Sequence, residues 1–229
     1  SLLISRYLYT IASLKLVQVQ YQIWFRIKFW KSRIINFDKY IDRKINKLSF
    51  ILNYEQLAKF QSQYYHDSTF TFLNKSYKFP NQINWNFMGF GKLWNYNLQY
   101  LDYILDDRID IKWRRNILKL NSLALLSGTL KPEPYPVSLR VNNILIFDSI
   151  HDIEDELVYK ALKLQIDYLV NNLEYHLLGN HLLENYITLY AASIVVNDKS
   201  LNNLVSNYLI NQLNEQILED GIHFERSPM

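Results

Sequence analysis

The stretch DIEDELVYKALKLQIDYLVNNLEYHLLG, residues 152–179, decides the fold class. Its apolar residues recur every three or four positions, which is the spacing of one helix face: Val158, Leu162, Ile166, Leu169, Leu173 and Leu177. Asp152 and Asp155 are typical of a helix N-terminus, and Gly179 is typical of a helix end. The stretch is therefore predicted to be one long amphipathic helix.

Similar periodic stretches lie on both sides of this helix. After it come two more apolar stripes at helical spacing: Leu183, Ile187, Tyr190 and Ile194, then Val205, Leu209, Leu213 and Ile217, before the break at Asp220-Gly221. Before it, an apolar block is predicted to end at Gly128, and Ser138 is predicted to cap the helix after a proline-rich loop. Helices joined by short loops, without alternating strands, predict an all-α fold of antiparallel hairpins. An incomplete (α/α) toroid and a bundle both fit this periodicity.

The first 90 residues differ from the rest, and we expect an N-terminal extension at 1–90 packed on a helical portion at 91–229. Aromatic and basic residues alternate through residues 1–50, as they do in membrane-surface helices and in amphipathic helices packed on a domain. We favour the packed helix, because the chain carries no second membrane signal. No segment reaches the roughly 20 apolar residues of a membrane span. Turn residues in the stretch 52–92 predict a few short strands or irregular segments there.

Composition narrows the classes of function. The net charge is only +3, and basic and acidic residues are mixed, so nucleic acid is not an expected partner. The absence of cysteine excludes disulfides, thiolate metal sites and a cysteine nucleophile. No glycine-rich phosphate loop or serine-hydrolase elbow is present. The 18 Tyr, 12 Phe and 5 Trp suit stacking on sugar rings, although for any single ring a place in the core or at its rim is the commoner role.

One cluster of chemistry-bearing residues lies at a helix junction. Asn180 is predicted at the start of a helix, with His181 and Glu184 three apart on one face. The plainer alternative is an N-cap beside a surface histidine. Together with His176 these residues are a weak metal hypothesis, because the spacing is not that of a zinc-protease histidine pair. We therefore expect neither a metal nor another cofactor.

Two further clusters lie on either side. The string HFERSPM, residues 223–229, holds Glu225 and Arg226, and a solvated loop would explain it equally well. The strings WNYNLQY (94–100) and EPYPVSLR (133–140) combine aromatic and amide groups of the kind that contact sugars. Arg140 in the second string could pair a carboxylate with two hydrogen bonds. An ordinary helix edge is the alternative for both strings.

Four strings in chain order together resemble the heparinase II/III family of polysaccharide lyases. They are WNYNLQYLDY (94–103), EPYPVSLR (133–140), YHLLGNHLLEN (175–185) and EQILEDGIHFERSP (215–228). The resemblance implies an incomplete (α/α) toroid followed by a large β-sandwich domain, with a cleft between them. It also implies β-elimination on a uronic-acid-containing polysaccharide. In that reaction a base removes the proton next to the uronate carboxylate, and an acid protonates the departing glycosidic oxygen.

The resemblance also implies roles for individual residues. Asn180 matches an amide that neutralises the substrate carboxylate, His181 matches a base or substrate contact, and Glu184 matches an acidic site residue of some members. Substrate-binding positions follow more loosely, along the cleft or its wall: Arg226, Glu225, Arg140, Trp94 and Tyr100.

Family members usually carry a tyrosine directly after the Ser-Pro-Met string, which places that tyrosine and the β-sandwich domain beyond Met229. The 229 residues alone are therefore expected to be inactive. The expected partners are an acidic polysaccharide and the β-sandwich domain of the same protein. The periplasm or cell envelope is the expected location, with the cytoplasm as the alternative. A non-catalytic glycan-binding module and a purely structural helical scaffold are the competing hypotheses, and the scaffold predicts no polar groove.

Overall fold

A computed structural model describes residue 20, the backbone of residues 63–65, and residues 68–177 and 179–223. Most of the predicted N-terminal extension lies outside the described residues. The described part is mostly helical, as predicted, with a small sheet before six α-helices. The strands are β1 (Gln63–Tyr65), β2 (Thr69–Phe72) and β3 (Lys75–Lys78). The helices are α1 (Lys92–Tyr100), α2 (Ile111–Leu126), α3 (Pro134–His151), α4 (Glu156–Asn171), α5 (Gly179–Val195) and α6 (Lys199–Gln216), with a 3-10 helix at Asp102–Leu105.

Aspartate side chains define the starts of three helices. Asp110, Asp155 and Asp198 each accept a hydrogen bond from a backbone N–H in the first turn of α2, α4 and α6. At the other end of α2, Gly128 has a φ of 73°, the left-handed conformation that terminates helices at little cost. Asp155 and Gly128 thus act as the sequence predicts.

Each of the helices α1, α2 and α3 packs on the next helix but one, whereas α6 packs on its sequence neighbour α5. Helix α3 contacts α1 and α5, and α2 contacts α4, while α4 in turn packs on α3 and α5. One layer therefore contains α1, α3 and α5, and a second contains α2 and α4. Hydrogen bonds from Tyr96 to Glu133 and from Arg140 to Gln99 advance in the same direction along α1 and α3, so these two helices are parallel.

The sheet and the helices share one core. The three strands are antiparallel in the order β1-β2-β3. From β2, Phe70 packs against Tyr103 and Phe72 against Trp94, with ring centroids 5.5 and 5.2 Å apart. The expected short strands before residue 92 are therefore present, and they pack on the helical part. No helix in the described ranges combines the length and the apolar composition needed to cross a membrane.

The helix predicted over residues 152–179 is shorter than its periodicity suggests. Helix α4 ends at Asn171, and Leu177 is 47% exposed in a turn that follows. The reason is tertiary: the backbone N–H of Glu174 donates to the side chain of Asn185 on α5, 2.9 Å away. This bond draws the chain out of the helix and toward the start of α5.

Two further predictions are wrong in detail. The stripe Ile187, Tyr190 and Ile194 is the exposed face of α5, while its buried face includes Leu182, Tyr186 and Leu189. Helix α5 is apolar on both sides, so spacing alone does not select the buried face. Ser138 is not a cap, because α3 begins at Pro134 after Glu133. Its hydroxyl instead lies inside the fold and donates to the carbonyl of Pro134.

Candidate functional site

Two of the predicted substrate-binding residues lie inside the protein. Trp94 and Arg140 are both 0% exposed. The indole N–H of Trp94 donates to the carbonyl of Lys75, which joins α1 to β3. The guanidinium of Arg140 donates to Gln165 and Gln99, not to a carboxylate. Neither side chain reaches the surface, so both hold the fold together instead of offering a contact to a polymer.

A row of half-exposed rings crosses the layer of α1, α3 and α5. We call Tyr96, Tyr100, Tyr135 and His181 the aromatic row. Ring centroids lie 6.1 Å apart from Tyr96 to Tyr100 and from Tyr100 to Tyr135. The imidazole of His181 stacks on Tyr135, with 4.1 Å between centroids and 28° between planes. The row thus joins predicted residues of two separate strings, Tyr100 and His181, through a tyrosine that the sequence does not single out.

The imidazole of His181 contacts the buried carboxylate of Glu174. Its Nδ1 lies 3.3 Å from Oε1 of Glu174, whose side chain is 7% exposed. The second carboxylate oxygen accepts a hydrogen bond from the amide of Asn185, which is fully buried. A hydrogen bond donated by Nδ1 to this carboxylate orients the imidazole and, in the neutral form of the ring, leaves the lone pair on Nε2.

Asn185 also connects this carboxylate to α3. Its side-chain amide donates to the hydroxyl of Ser138, 2.9 Å away, and Thr188 one turn later donates to the carbonyl of Ser138. These buried bonds hold the second and third turns of α5 against α3. Tyr135 on α3 and His181 on α5 consequently keep one relative position, as a preorganised site requires.

Glu184 lies on the same face of α5 as His181. Its Oε1 accepts a hydrogen bond from the side-chain amide of Asn142 on α3, at 3.1 Å. Burial raises the pKa of Glu184, and the bond from Asn142 opposes this only in part. Glu184 therefore keeps its proton to a higher pH than an ordinary glutamate does. Asn180, in the first turn of α5, is half-exposed.

The remaining predicted residues are not part of this arrangement as described. Glu225 and Arg226 lie outside the described residues. Among the described residues, no group of three histidine, aspartate or glutamate side chains is placed to hold a metal ion.

Burial lowers the pKa of His176, with a smaller opposing effect from Glu174. Glu174 and Asn142 were missed by the sequence predictions, and Tyr135 was included only as part of the string EPYPVSLR, because their contacts reach segments 35 or more positions away or cross a turn that periodicity does not reveal.

A separate cleft of about 440 Å³ lies between α2 and the start of α4. It is lined by basic residues of α2, including Arg115 and Lys119, and by acidic residues around Asp155. Lys119 and Asp155 already pair at 3.8 Å. Arg115 bonds the carbonyl of His151, about 24 Å along α3 from Tyr135 at a rise of about 1.5 Å per residue. This cleft therefore shares no residue with the aromatic row.

The raised pKa of Glu184 predicts how stability changes with pH. In the unfolded chain Glu184 ionises at its ordinary pKa, whereas the folded protein holds the proton to a higher pH. Between these two values the unfolded state binds fewer protons, so stability falls as pH rises through that window. Each unit of pKa difference costs about 1.4 kcal/mol above the window. Glu184→Gln, which stays neutral and can still accept from Asn142, should remove this loss.

The measurement is the free energy of urea unfolding from acidic to neutral pH. We expect Glu184→Gln to match the parent at acidic pH and to exceed it at neutral pH. Glu154→Gln, an exposed carboxylate near the separate cleft, controls for the loss of one charge. Parallel curves for Glu184→Gln and the parent would contradict the prediction.

No protein-family model, curated protein or solved structure matches this chain.

Proposed function

We propose that this chain is the helical portion of a polysaccharide lyase that cleaves uronic-acid-containing glycans by β-elimination. The proposal rests on one observation: the aromatic row, which includes His181, lies on the same face of the protein as Glu184. Tyrosine rings that can stack on sugars and side chains that can hold or transfer a proton are therefore close together on that face. The packing of each helix on the next but one, α1 on α3 on α5, supports an incomplete (α/α) toroid as its architecture.

The aromatic row suits the binding of a polymer. Tyrosine rings combine an apolar face, which covers the C–H face of a sugar, with a hydroxyl that bonds its polar rim. Three tyrosines and an imidazole follow one another across three helices. The hydroxyl of Tyr96 donates to Glu133 at 2.7 Å, which fixes one end of the row. A ligand that spans several rings would therefore be an extended chain of sugars.

His181 supplies a candidate base. With the Nδ1 proton directed at Glu174, the Nε2 lone pair is available to the ligand side of the ring. Carboxylate support of this kind also stabilises the imidazolium that forms once a proton is taken up. In the proposed reaction His181 accepts the proton next to the uronate carboxylate or contacts the sugar that bears it.

Glu184 and Asn180 supply the charge neutralisation that this step requires. The proton next to a carboxylate becomes acidic enough only if the negative charge is compensated by hydrogen-bond donors. A protonated Glu184 is such a donor, and the raised pKa favours this form. The amide of Asn180, at the positive end of α5, is the second proposed donor. Both lie in the first two turns of α5, beside His181.

The test uses the natural full-length protein that contains this chain. It should generate the absorbance of an unsaturated uronate from at least one member of a panel of uronic-acid glycans. Asn180→Ala should lower turnover at least about a hundredfold while leaving glycan binding nearly unchanged, because the amide acts mainly in the transition state. Asn116→Ala, an exposed amide in the separate cleft, is the matched control and should retain activity.

The second candidate is a glycan-binding module without catalysis, which the aromatic row by itself would favour. That candidate predicts that the parent and the Asn180→Ala variant both bind the glycan and that neither forms an unsaturated product. A full-length protein that binds uronic-acid glycans and never cleaves them would replace the lyase proposal with this one. A protein that neither binds nor cleaves them would overturn both.

A further inference from the structure

The end of helix α6 and the turn after it carry an exposed apolar surface. Ile210, Leu213 and Ile217 are spaced by three and four residues, so they lie on one side of the helix. In the turn, the N–H of Leu218 donates to the carbonyl of Ile222 at 2.9 Å, which brings these two residues together. Within the described part of the chain, α6 packs chiefly on α5 and leaves all five side chains between 36% and 55% exposed. We call these five residues the α6 surface, and clusters of this kind commonly mark interaction sites.

The charges beside the α6 surface are acidic. Glu219 and Asp220 lie in its turn, and both are exposed. From Ser200 to His223 the sequence contains three acidic residues and neither Lys nor Arg. A segment that covers this surface should therefore combine apolar with basic side chains, because opposite charges attract and apolar groups leave water.

Residues 1–50 have this complementary composition. They contain ten Lys and Arg against two Asp, together with ten aromatic residues. The stretch IWFRIKFWK, residues 23–31, combines six apolar with three basic residues. The rest of the chain, residues 51–229, contains fifteen basic and twenty acidic residues. Although no long run of one sign occurs, the two parts of the chain carry opposite net charges and should attract each other.

The N-terminal segment is long enough to reach the α6 surface. Helices α1, α3 and α5 run in the same direction. Tyr186 on α5 stacks on Tyr208 of α6, and Asn202 of α6 donates to Ser193, so α6 runs in the opposite direction. Its last turn therefore lies at the end of the layer where α1 begins and the sheet packs. Three helix spacings of about 8–10 Å separate α1 from α6, and the twelve residues 51–62 can span about 40 Å when extended.

We propose that the N-terminal segment of this chain, residues 1–50, docks on the α6 surface. Its aromatic and aliphatic side chains cover the five apolar residues, and its basic side chains pair with Glu219 and Asp220. Residues 23–31 are the centre of the contact, because they have the densest mixture of apolar and basic groups. The docking joins the start of the chain to the last described helix and does not depend on the proposed glycan chemistry.

The experiment measures how fast single cysteines in the 229-residue chain react with a maleimide, which is possible because the parent has no cysteine. Ile210→Cys reports on the α6 surface. Leu204→Cys is the matched control, since both residues are 55% exposed and Leu204 lies about 120° away around the same helix. A docked fraction of about nine in ten slows labelling about tenfold. We therefore expect Ile210→Cys to react at least about tenfold more slowly than Leu204→Cys.

A change in the N-terminal segment identifies what covers the surface. Adding Trp24→Ser and Phe25→Ser should raise the rate of Ile210→Cys to that of the control, whereas Gln18→Ser should leave it low. In the parent chain, a zero-length carbodiimide should join lysines of residues 1–50 to Glu219 or Asp220 within one molecule. This second measurement needs no substitution, so it stands even where a variant folds poorly.

Three results would overturn the proposal. The first is equal labelling of Ile210→Cys and Leu204→Cys. The second is protection of Ile210→Cys that grows with protein concentration and persists in the Trp24→Ser, Phe25→Ser variant, which would identify a second copy of the chain as the occupant. The third is binding of the parent to vesicles of phosphatidylcholine and phosphatidylserine through Trp24 and Phe25 while Ile210→Cys reacts at the control rate. That result would favour the membrane-surface alternative for this segment.

Discussion

Replacing Trp94 by alanine is expected to lower the free energy of unfolding by about 3–5 kcal/mol. The indole is 0% exposed and is surrounded by rings from three segments. Its centroid distances are 5.2 Å to Phe72, 5.2 Å to Phe87 and 5.6 Å to Phe90. Alanine would leave a cavity at the point where β2, the loop between β3 and α1, and α1 itself meet, and it would remove the bond to the carbonyl of Lys75.

The measurement is urea denaturation, and Trp94→Phe separates the two contributions. Phenylalanine keeps most of the ring packing but leaves the carbonyl of Lys75 without its donor, so the loss should be smaller, about 1–2 kcal/mol. A Trp94→Ala protein with nearly parental stability and greatly weakened glycan binding would contradict this result. It would restore the role that the sequence suggests for Trp94, a stacking surface for substrate.

Arg140→Ala is the second change with a large expected effect, a loss of about 3 kcal/mol or more. The side chain joins α3 to α1 and α4: Nε donates to Gln165 and Nη1 to the carbonyl of Gln99. The remaining nitrogen, Nη2, is buried and makes no hydrogen bond among the described residues. Burial lowers the pKa of Arg140 to about 10, so the charge itself is held at some cost.

That cost predicts an order among the variants. Arg140→Met keeps much of the volume and removes the buried charge, so it should lose roughly half as much stability as Arg140→Ala. Arg108→Ala is the surface control, because Arg108 is 75% exposed in its pair with Asp106 and should change stability by at most about 1 kcal/mol. Equal losses for Arg108→Ala and Arg140→Ala, measured by urea denaturation, would show that the buried contacts contribute little.

Several features of the fold could be predicted because they depend on neighbours along the chain. The stripe from Val158 to Leu169 is buried as its spacing predicts, and Asp155 caps its helix. The stripe on α5 fails because that helix is apolar on two sides. The two apolar faces of α5 have the same helical spacing, so which of them is buried depends on which face packs against α3.

The candidate site divides in the same way. His181 and Glu184 lie on one face because residues three apart on a helix always do. Tyr135 beside His181 and Glu174 beneath it required the packing of α3 on α5, which no local pattern encodes. Arg140 and Trp94 have the chemistry of ligand contacts, and their burial is a property of the assembled layers.

The sequence by itself therefore determined the helical class, the start of α4 at Asp155, the stop at Gly128 and the shared face of His181 and Glu184. These are consequences of backbone hydrogen bonding and helical repeat, which act within a few residues. Only the tertiary structure decided where α4 ends, which face of α5 is buried, and which polar residues lie inside. Those outcomes depend on contacts between distant segments such as Glu174 with Asn185 and Ser138 with Asn185, whose energies exist only after the layers have assembled.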